Sequence, residues 1–344
     1  MKTLLKIGIP VFSLVIGLLL VELLTRIIFD HNGMNYGIEM WKYAKLLKQK
    51  SQIPQLSHEH KPGTEAKLMG VQVKINSYGL RDHEYKIARP DRTYRILVLG
   101  DSMTFGWGTT VENTYPKVLE KLLNDFSRPA SNPSNMISKY EVINAGVGNY
   151  NTVQEVTYFK ERGIHLKPDM VLLGFYLNDA EKTPKPSSGF LREHSYLYVL
   201  FSLVWDALQR TIGLKSDYKD YYLNLYSDTN PGWQKCQEAL KVLIDKCQTE
   251  NIKLVIVLIP ELHQPDENYA FGKIHKLISH IGRSNHVPVI DLLPEFKGVV
   301  PRSLWVSPGD QHPNAKAHAI MANGIYNHIV QPIIPQKTHS GNKQ

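Results

Sequence analysis

Hydrophobic and polar positions along the chain follow three rhythms. An uncharged run spans 7–21, behind Lys2 and Lys6, and continues through Glu22 and Arg26 to Phe29. From residue 94 onward, short apolar runs at 94–99, 140–144, 170–175, 252–259 and 287–292 alternate with stretches of helical period at 115–126, 152–162, 233–249, 269–284 and 314–329. Continuous apolar strands alternating with amphipathic helices predict a parallel sheet covered on both faces, with a site at the strands' carboxyl ends. The expected fold is therefore α/β, a three-layer α/β/α sandwich around a flavodoxin-like parallel sheet, preceded by an N-terminal transmembrane helix. Residues 71–75 alternate as a half-buried strand does, and Asn76-Ser77-Tyr78-Gly79 supplies a turn.

The first run is short for a span of about twenty residues, but counting to Phe29 reaches that length if Glu22 and Arg26 pair at i, i+4 or reach the interface. No small-x-small cleavage site follows it, which favours a retained signal-anchor over a cleaved signal peptide. Lys2 and Lys6 favour an inside amino terminus, whereas Lys42, Lys45, Lys48 and Lys50 lie beyond the other end and pull the opposite way. The six-residue stub ahead of the run resembles an export signal-anchor. The expected organisation is a membrane segment at 1–30, a polar juxtamembrane linker at 31–70, an α/β domain at 71–331 and a disordered tail at 332–344. Residues 181–231 break the βα alternation and read as an insertion whose aromatics either line a substrate groove or fill a satellite core.

The chain has 344 residues, 42% of them hydrophobic and 21% charged, which excludes disordered and collagen-like classes. The formal charge of +8 is scattered and accompanies no nucleic-acid motif, so it reads as a solvated face beside a membrane, with no nucleic-acid partner. Cys236 and Cys247 fall on one predicted helix, about 16 Å apart, too far for a disulfide.

The chemistry gathers at predicted strand ends. Gly100-Asp101-Ser102 follows the first core strand, where a strand-to-helix turn exposes a hydroxyl and the following helix amino terminus can favour developing negative charge. The segment from Asn144 to Thr152 follows the second strand, and Asn178-Asp179 closes the third. Asp310-Gln311-His312-Pro313-Asn314 precedes the last helix. Acyl transfer needs a nucleophile, a base, a group that orients the base, and donors for the oxyanion, and each strand end offers one of these.

These four blocks, in this order, resemble the SGNH branch of the GDSL esterase/lipase family. The likeness covers about residues 75–329 and includes Asn76-Ser77-Tyr78-Gly79-Leu80-Arg81-Asp82, a stretch seen in membrane-anchored bacterial members. The resemblance implies Ser102 as nucleophile and His312 as general base. The oxyanion hole would combine the backbone N–H of Ser102, one from the second block and the Asn178 side chain. It implies no metal and no organic cofactor. Two positions depart from the family pattern. Its second-block glycine would fall at 149, where this chain has Asn149, with Gly148 one residue early, so both are candidate donors. Its acidic residue would stand three before the histidine, at Gly309. Asp310 stands two before, and in an extended segment residues two apart project to the same side, so Asp310 can reach His312 or else the site is a Ser-His dyad.

Other residues take structural expectations. His318 packs against the last helix, Asp101 and Asp179 act as turn and cap residues, and Arg81 and Asp82 pair, unless Arg81 holds an anionic substrate at the mouth. Glu261 and His263 lie at a carboxyl edge and could border the pocket. A phosphoaspartate enzyme would want an acid at Met103, a dinucleotide binder a glycine at Asn151, and no His or Cys spacing suggests zinc. The expected activity is hydrolysis or transfer of an acyl group from a small-molecule, lipid or glycan ester through an acyl-enzyme, on the extracytoplasmic side. The alternatives are an O-acetyltransferase or deacetylase of an envelope polysaccharide, and a non-catalytic carbohydrate-binding or assembly protein.

Overall fold

The computed structural model describes residues 2–31, 35–126, 137–184, 189–213 and 215–330. The expected tail at 332–344 lies outside these. Helix α1 (Lys2–His31) carries the apolar run. Helix α2 (Tyr36–Leu47) is followed by the short strand β1 (Lys48–Lys50), which pairs antiparallel with β2 (His58–His60). A second hairpin joins β3 (Glu65–Leu68) and β4 (Val71–Lys74).

The βα alternation then runs β5 (Thr93–Gly100), the one-turn helix α3 (Ser102–Phe105), α4 (Tyr115–Phe126), β6 (Lys139–Asn144), α5 (Thr152–Glu161) and β7 (Met170–Phe175). The insertion supplies α6 (Phe190–His194), α7 (Tyr196–Thr211) and α8 (Tyr218–Leu225). After it come α9 (Pro231–Thr249), β8 (Lys253–Leu258), α10 (Gly272–Ser284) and β9 (Val289–Asp291). A last hairpin, β10 (Trp305–Ser307) with β11 (Asp310–Pro313), leads into α11 (Ala315–Val330).

The central sheet is five-stranded and parallel, ordered β6-β5-β7-β8-β9, the flavodoxin-like order. All eight residues of β5 are buried, so the run shows no polar alternation, as a strand covered on both faces requires. Alternate side chains feed two cores. Leu97, Leu99, Val171 and Leu173 pack with α5, α9 and α10, while Ile96, Val98, Val142 and Leu172 pack with α4 and α11. Cys236 and Cys247 are buried and unpaired within α9.

Of the expected linker at 31–70, the described stretch 35–70 is instead folded onto the domain. Asn35 caps α2, its side chain accepting from the Gly37 and Ile38 N–H groups. Tyr43 and Leu47 of that helix join Leu68, Val73, Ile75, Phe105 and Trp107 in a third core that lies over the loop after β5. The apolar residues responsible are spread singly among lysines, so they form no run; they become a core because the β5 loop presents Phe105 and Trp107 to them. The insertion divides. Leu225 and Tyr226 enter the main core, whereas α7 packs on α1 and α2.

Arg81 and Asp82 do not pair with each other. The Arg81 guanidinium donates to the carbonyls of Phe105, Gly106 and Thr109, closing the loop after Ser102. Asp82 accepts from Lys117 at 3.0 Å and from the Asn144 N–H at 2.7 Å, so it joins α4 to the end of β6. Lys117 and Asp82 are both buried, and stripping the ammonium from such a pair leaves an uncompensated charge at a cost of about 3–5 kcal/mol. Lys117→Met is therefore expected to lose stability on that scale in urea unfolding, and Asp82→Asn on top of it to recover part of the loss.

Candidate active site

Ser102 sits at the first position of α3, directly beyond β5. The turn is tight. A Cβ on Gly100 would lie 2.0 Å from Thr104 Oγ1, and Gly106 ends the turn at φ +82°. Asp101 caps it, accepting from the Met103 N–H at 2.8 Å, in keeping with its expected capping part. Because α3 is a single turn, the expected helix-dipole contribution is small, and individual N–H donors matter instead. The Ser102 N–H, as the first of the turn, has no acceptor within it.

Hairpin β10–β11 brings the last block to the serine. His312 Nε2 lies 2.9 Å from Ser102 Oγ, and His312 Nδ1 lies 2.6 Å from Asp310 Oδ1. Asp310 and His312 stand two apart on strand β11, which puts both side chains on one side. The other Asp310 oxygen accepts from the Trp107 indole at 2.8 Å, so both carboxylate oxygens are occupied. Burial pushes the Asp310 carboxyl up, but its bonds to His312 and Trp107 outweigh burial and hold it below the usual carboxylate value. The Tyr36 ring lies 5.5 Å from the His312 ring, centroid to centroid, and edge-on to Trp107. Sequence reasoning missed both aromatics; neither Tyr36 nor Trp107 carries a spacing signal toward His312.

The loop after β6 approaches the same point. Its pairing with β5 continues past the strand, with the Ala145 N–H donating to Val98 and the Val147 N–H to Gly100. Gly146 passes so close to α3 that a Cβ there would lie 2.3 Å from the Phe105 nitrogen. Of the two candidate donors in this block, the Gly148 N–H is taken by Tyr43 Oη at 3.0 Å. Asn149 is exposed, adopts φ +67°, and its N–H meets no acceptor among the described residues.

The Gly148–Asn149 peptide is gripped from the folded N-terminal stretch. Lys48 Nζ donates to the Gly148 carbonyl at 2.5 Å and to Asn149 Oδ1 at 3.0 Å, and His58 Nε2 lies 3.1 Å from the same carbonyl. Tyr43 Oη lies 2.6 Å from His60 Nε2, and His60 Nδ1 lies 3.0 Å from the Gly79 carbonyl, which sets the tautomer: Nδ1–H donates to Gly79 and Nε2 accepts from Tyr43. Burial pulls Lys48 down to about 7. A cation on a carbonyl oxygen polarises the whole amide, so Lys48 in its protonated form strengthens the Asn149 N–H as a donor while its hydrogen bonds fix the direction of the peptide.

Asn178 reaches in from the turn after β7. Its Nδ2 donates to Asp101 Oδ2 at 2.9 Å and leans on the Tyr150 carbonyl at 3.4 Å, while Oδ1 is buried without a partner. Burial raises the Asp101 carboxyl despite its bonds to Met103 and Asn178 and the nearby His312. Asp179 takes the Tyr176 N–H and the Thr152 hydroxyl, tying the third block to α5. Asn149, Tyr150 and Asn178 open onto a cavity of about 870 Å³ between α2 and α6, rimmed by Lys45, Lys50, Lys182 and Arg192. Glu261 and His263 bond to each other, and His263 packs on Trp305. His318 is fully buried, with Nδ1 accepting from the Tyr115 N–H, as a packing residue should be.

The sequence model of the GDSL-like Lipase/Acylhydrolase family matches residues 98–320. No curated protein matches the chain. Among solved structures, the chain is similar to the psychrotrophic esterase EstA from Pseudoalteromonas sp. (16% identity, 69% of this chain and 95% of that one, TM-score 0.42). It is also similar to the lipase/acylhydrolase from Enterococcus faecalis (15%, 69% and 95%, TM-score 0.42) and to the lipase Lip_vut3 from a goat rumen metagenome (14%, 68% and 96%, TM-score 0.45).

The buried histidines make the fold acid-sensitive. Burial holds His60 and His318 down to about 3, with Lys48 adding to the first and Arg81 to the second. In the unfolded chain they take up protons as pH falls through about 6.5, while the folded protein does not until about 3, so stability drops across that window. Each contributes a slope of up to about 1.4 kcal/mol per pH unit. Urea-unfolding free energies measured from pH 7 to 4 are expected to fall steadily, with His60→Gln giving a shallower slope; a flat profile would contradict the burial of these rings as neutral groups.

Proposed function

Because the chain belongs to the GDSL-like lipase/acylhydrolase family and is thus an ester hydrolase, we propose that Ser102, His312 and Asp310 are its catalytic triad and that α1 holds it at a membrane. The observation that carries this reading is the unbroken relay from Asp310 through His312 to Ser102, at 2.6 and 2.9 Å. With Nδ1–H donated to Asp310, Nε2 of the neutral imidazole is the acceptor facing Oγ, the tautomer a general base needs. Ser102 Oγ attacks the ester carbonyl carbon as its proton moves to His312 Nε2. The tetrahedral oxyanion takes the N–H groups of Ser102 and Asn149 and the Asn178 Nδ2–H that leans only loosely on Tyr150. Of the two backbone candidates in the second block, Asn149 is preferred because Tyr43 occupies Gly148. Collapse expels the alcohol with the proton from His312, and a water, deprotonated by the same imidazole, resolves the acyl-enzyme.

Retention of α1 is supported by its polar contacts. Glu22 pairs with Arg26 at 2.7 Å and also accepts from Ser195 and from the Tyr196 and Leu197 N–H groups, so the helix is bonded into the insertion. Lys2 and Lys6 ahead of the apolar run are what supports an extracytoplasmic domain. A second reading, transfer of the acyl group to a carbohydrate hydroxyl, is favoured by the 870 Å³ cavity beside Asn149 and Asn178, which has room for an acceptor. Labelled acetyl appearing in glycan rather than as free acetate would decide for transfer.

A fluorophosphonate probe is expected to label the wild-type chain and not Ser102→Ala; equal labelling would overturn the triad. Loss of one oxyanion donor typically costs about 10²–10³ in turnover, so Asn178→Ala is expected to fall in that range against an activated ester. Lys48→Met removes the cation that aims the Asn149 N–H, and a misplaced donor should lower kcat by about 10- to 100-fold with KM little changed. If instead Lys48→Met leaves kcat unaltered, the peptide needs no such hold.

A further inference from the structure

The insertion presents an apolar stripe that the hydrolase fold does not use. On α7 and its C-cap residue Ile212, the side chains of Phe201, Val204, Trp205, Leu208 and Ile212 are exposed, Phe201 by 65% and Val204 by 66%. Their spacing of i, i+3, i+4, i+7 and i+11 puts them on one face. The other faces are accounted for. Tyr196 and Val199 pack with Ile38 of α2, and Leu203 meets Gly37, while Ser202, Asp206 and Arg210 form a polar side on which Asp206 pairs with Arg210 and Lys215. Five large apolar side chains in one row exceed the scattered exposure of an ordinary soluble surface.

What covers this row follows from where α7 is fastened. Its first turn is bonded to α1 through Glu22, which takes the Ser195 hydroxyl at 2.8 Å and the Tyr196 and Leu197 N–H groups at 3.0 and 2.9 Å. Arg26 donates to the His194 carbonyl, and the Tyr196 hydroxyl to Asp30 at 2.6 Å. The apolar span of α1 runs Gly8–Asp30, and Glu22 lies eight residues inside its polar end, about 12 Å along the helix axis. Glu22, Arg26 and Asp30, the charged residues of this span, all bond at the start of α7, so if α1 spans the bilayer the polar boundary falls at this junction rather than at the end of the span, and α7 starts there. Arg26, Lys42 and Lys45 flank the junction, which suits lipid phosphates, and Trp41 and Trp205 are side chains of the kind that favour this zone.

We propose that α7 is a second membrane element, an amphipathic helix lying in the interface with the Phe201–Ile212 stripe among the lipid chains. The proposal rests on the reading of α1 as a retained span. Its occupant is lipid rather than a second copy, because α7 is bonded at its first turn to the exposed apolar helix α1. Helices α2 and α6, which border the cavity beside Asn149 and Asn178, pack on this element, so that cavity opens at the membrane surface and an ester substrate is met there.

The test uses the full chain in phosphatidylcholine vesicles carrying brominated acyl chains. Bimane is attached to single added cysteines at Phe201→Cys, Val204→Cys, Leu18→Cys in α1 and Glu238→Cys on α9; native Cys236 and Cys247 are buried. The expected result is loss of most of the emission at 201 and 204, comparable with 18, and none at 238. Quenching at 18 with none at 201 and 204 would overturn the proposal while leaving the anchor intact. No quenching at 18 would instead remove the anchor on which it rests. Unquenched 204 together with disulfide-linked dimers of the unlabelled Val204→Cys chain would assign the stripe to a copy-to-copy contact and also overturn it.

Discussion

The lateral register of three parallel strands governs this molecule. Pairing of Val98 with Asn144 and of Gly100 with Gly174 ends β5, β6 and β7 on the same edge of the sheet, within about two residues of one another, so the chain leaves all three toward a single region. Parallel hydrogen bonding leaves no freedom in that level once the apolar faces are committed to two helical layers, because a one-residue slip would turn every buried side chain to the wrong face. Ser102, the loop at 144–149 and Asn178 converge for that reason. The fourth block arrives by another route, the β10–β11 hairpin, whose two-residue alternation aligns Asp310 with His312.

What steadies these loops comes largely from outside the segment that matches the family. Arg81 takes three carbonyls after Ser102, Asp82 holds the end of β6, and Tyr43, Lys48 and His58 grip the Gly148–Asn149 peptide. Tyr36 lies against the His312 ring. A buried lysine is costly unless its ammonium is hydrogen-bonded, and here the carbonyl of a loop facing the cavity meets that need. The N-terminal stretch thus couples the geometry of the site to the segment that follows the apolar helix α1. Glu22 extends the same coupling to the insertion, since a carboxylate within an apolar helix finds its donors at the first turn of α7.

Much of this was legible in the sequence. The alternation of apolar runs and helical periods implied the parallel sheet because burial on both faces erases polar alternation in strands and leaves it in helices. The Gly-Asp-Ser, Asn178 and Asp310-x-His312 blocks stood out because strand ends are local features. The linker reading failed because Tyr43, Leu47 and Leu68 are isolated apolar residues whose partners, Phe105 and Trp107, lie some 40 to 60 positions away. Arg81 and Asp82, adjacent in sequence, suggested a pair. In the fold, neighbouring side chains diverge, and each finds carbonyls or an ammonium on a different loop.

By itself, then, the sequence determined which elements form and which residue types stand at the strand ends, since both follow from periodicity and local turn chemistry. Tertiary structure alone decided which donors are free. Gly148 and Asn149 are equivalent candidates on paper, and they differ only because Tyr43, 105 residues before Gly148, bonds the first N–H and leaves the second. That choice depends on the packing of α2 over the loop, a long-range contact with no local sequence signature.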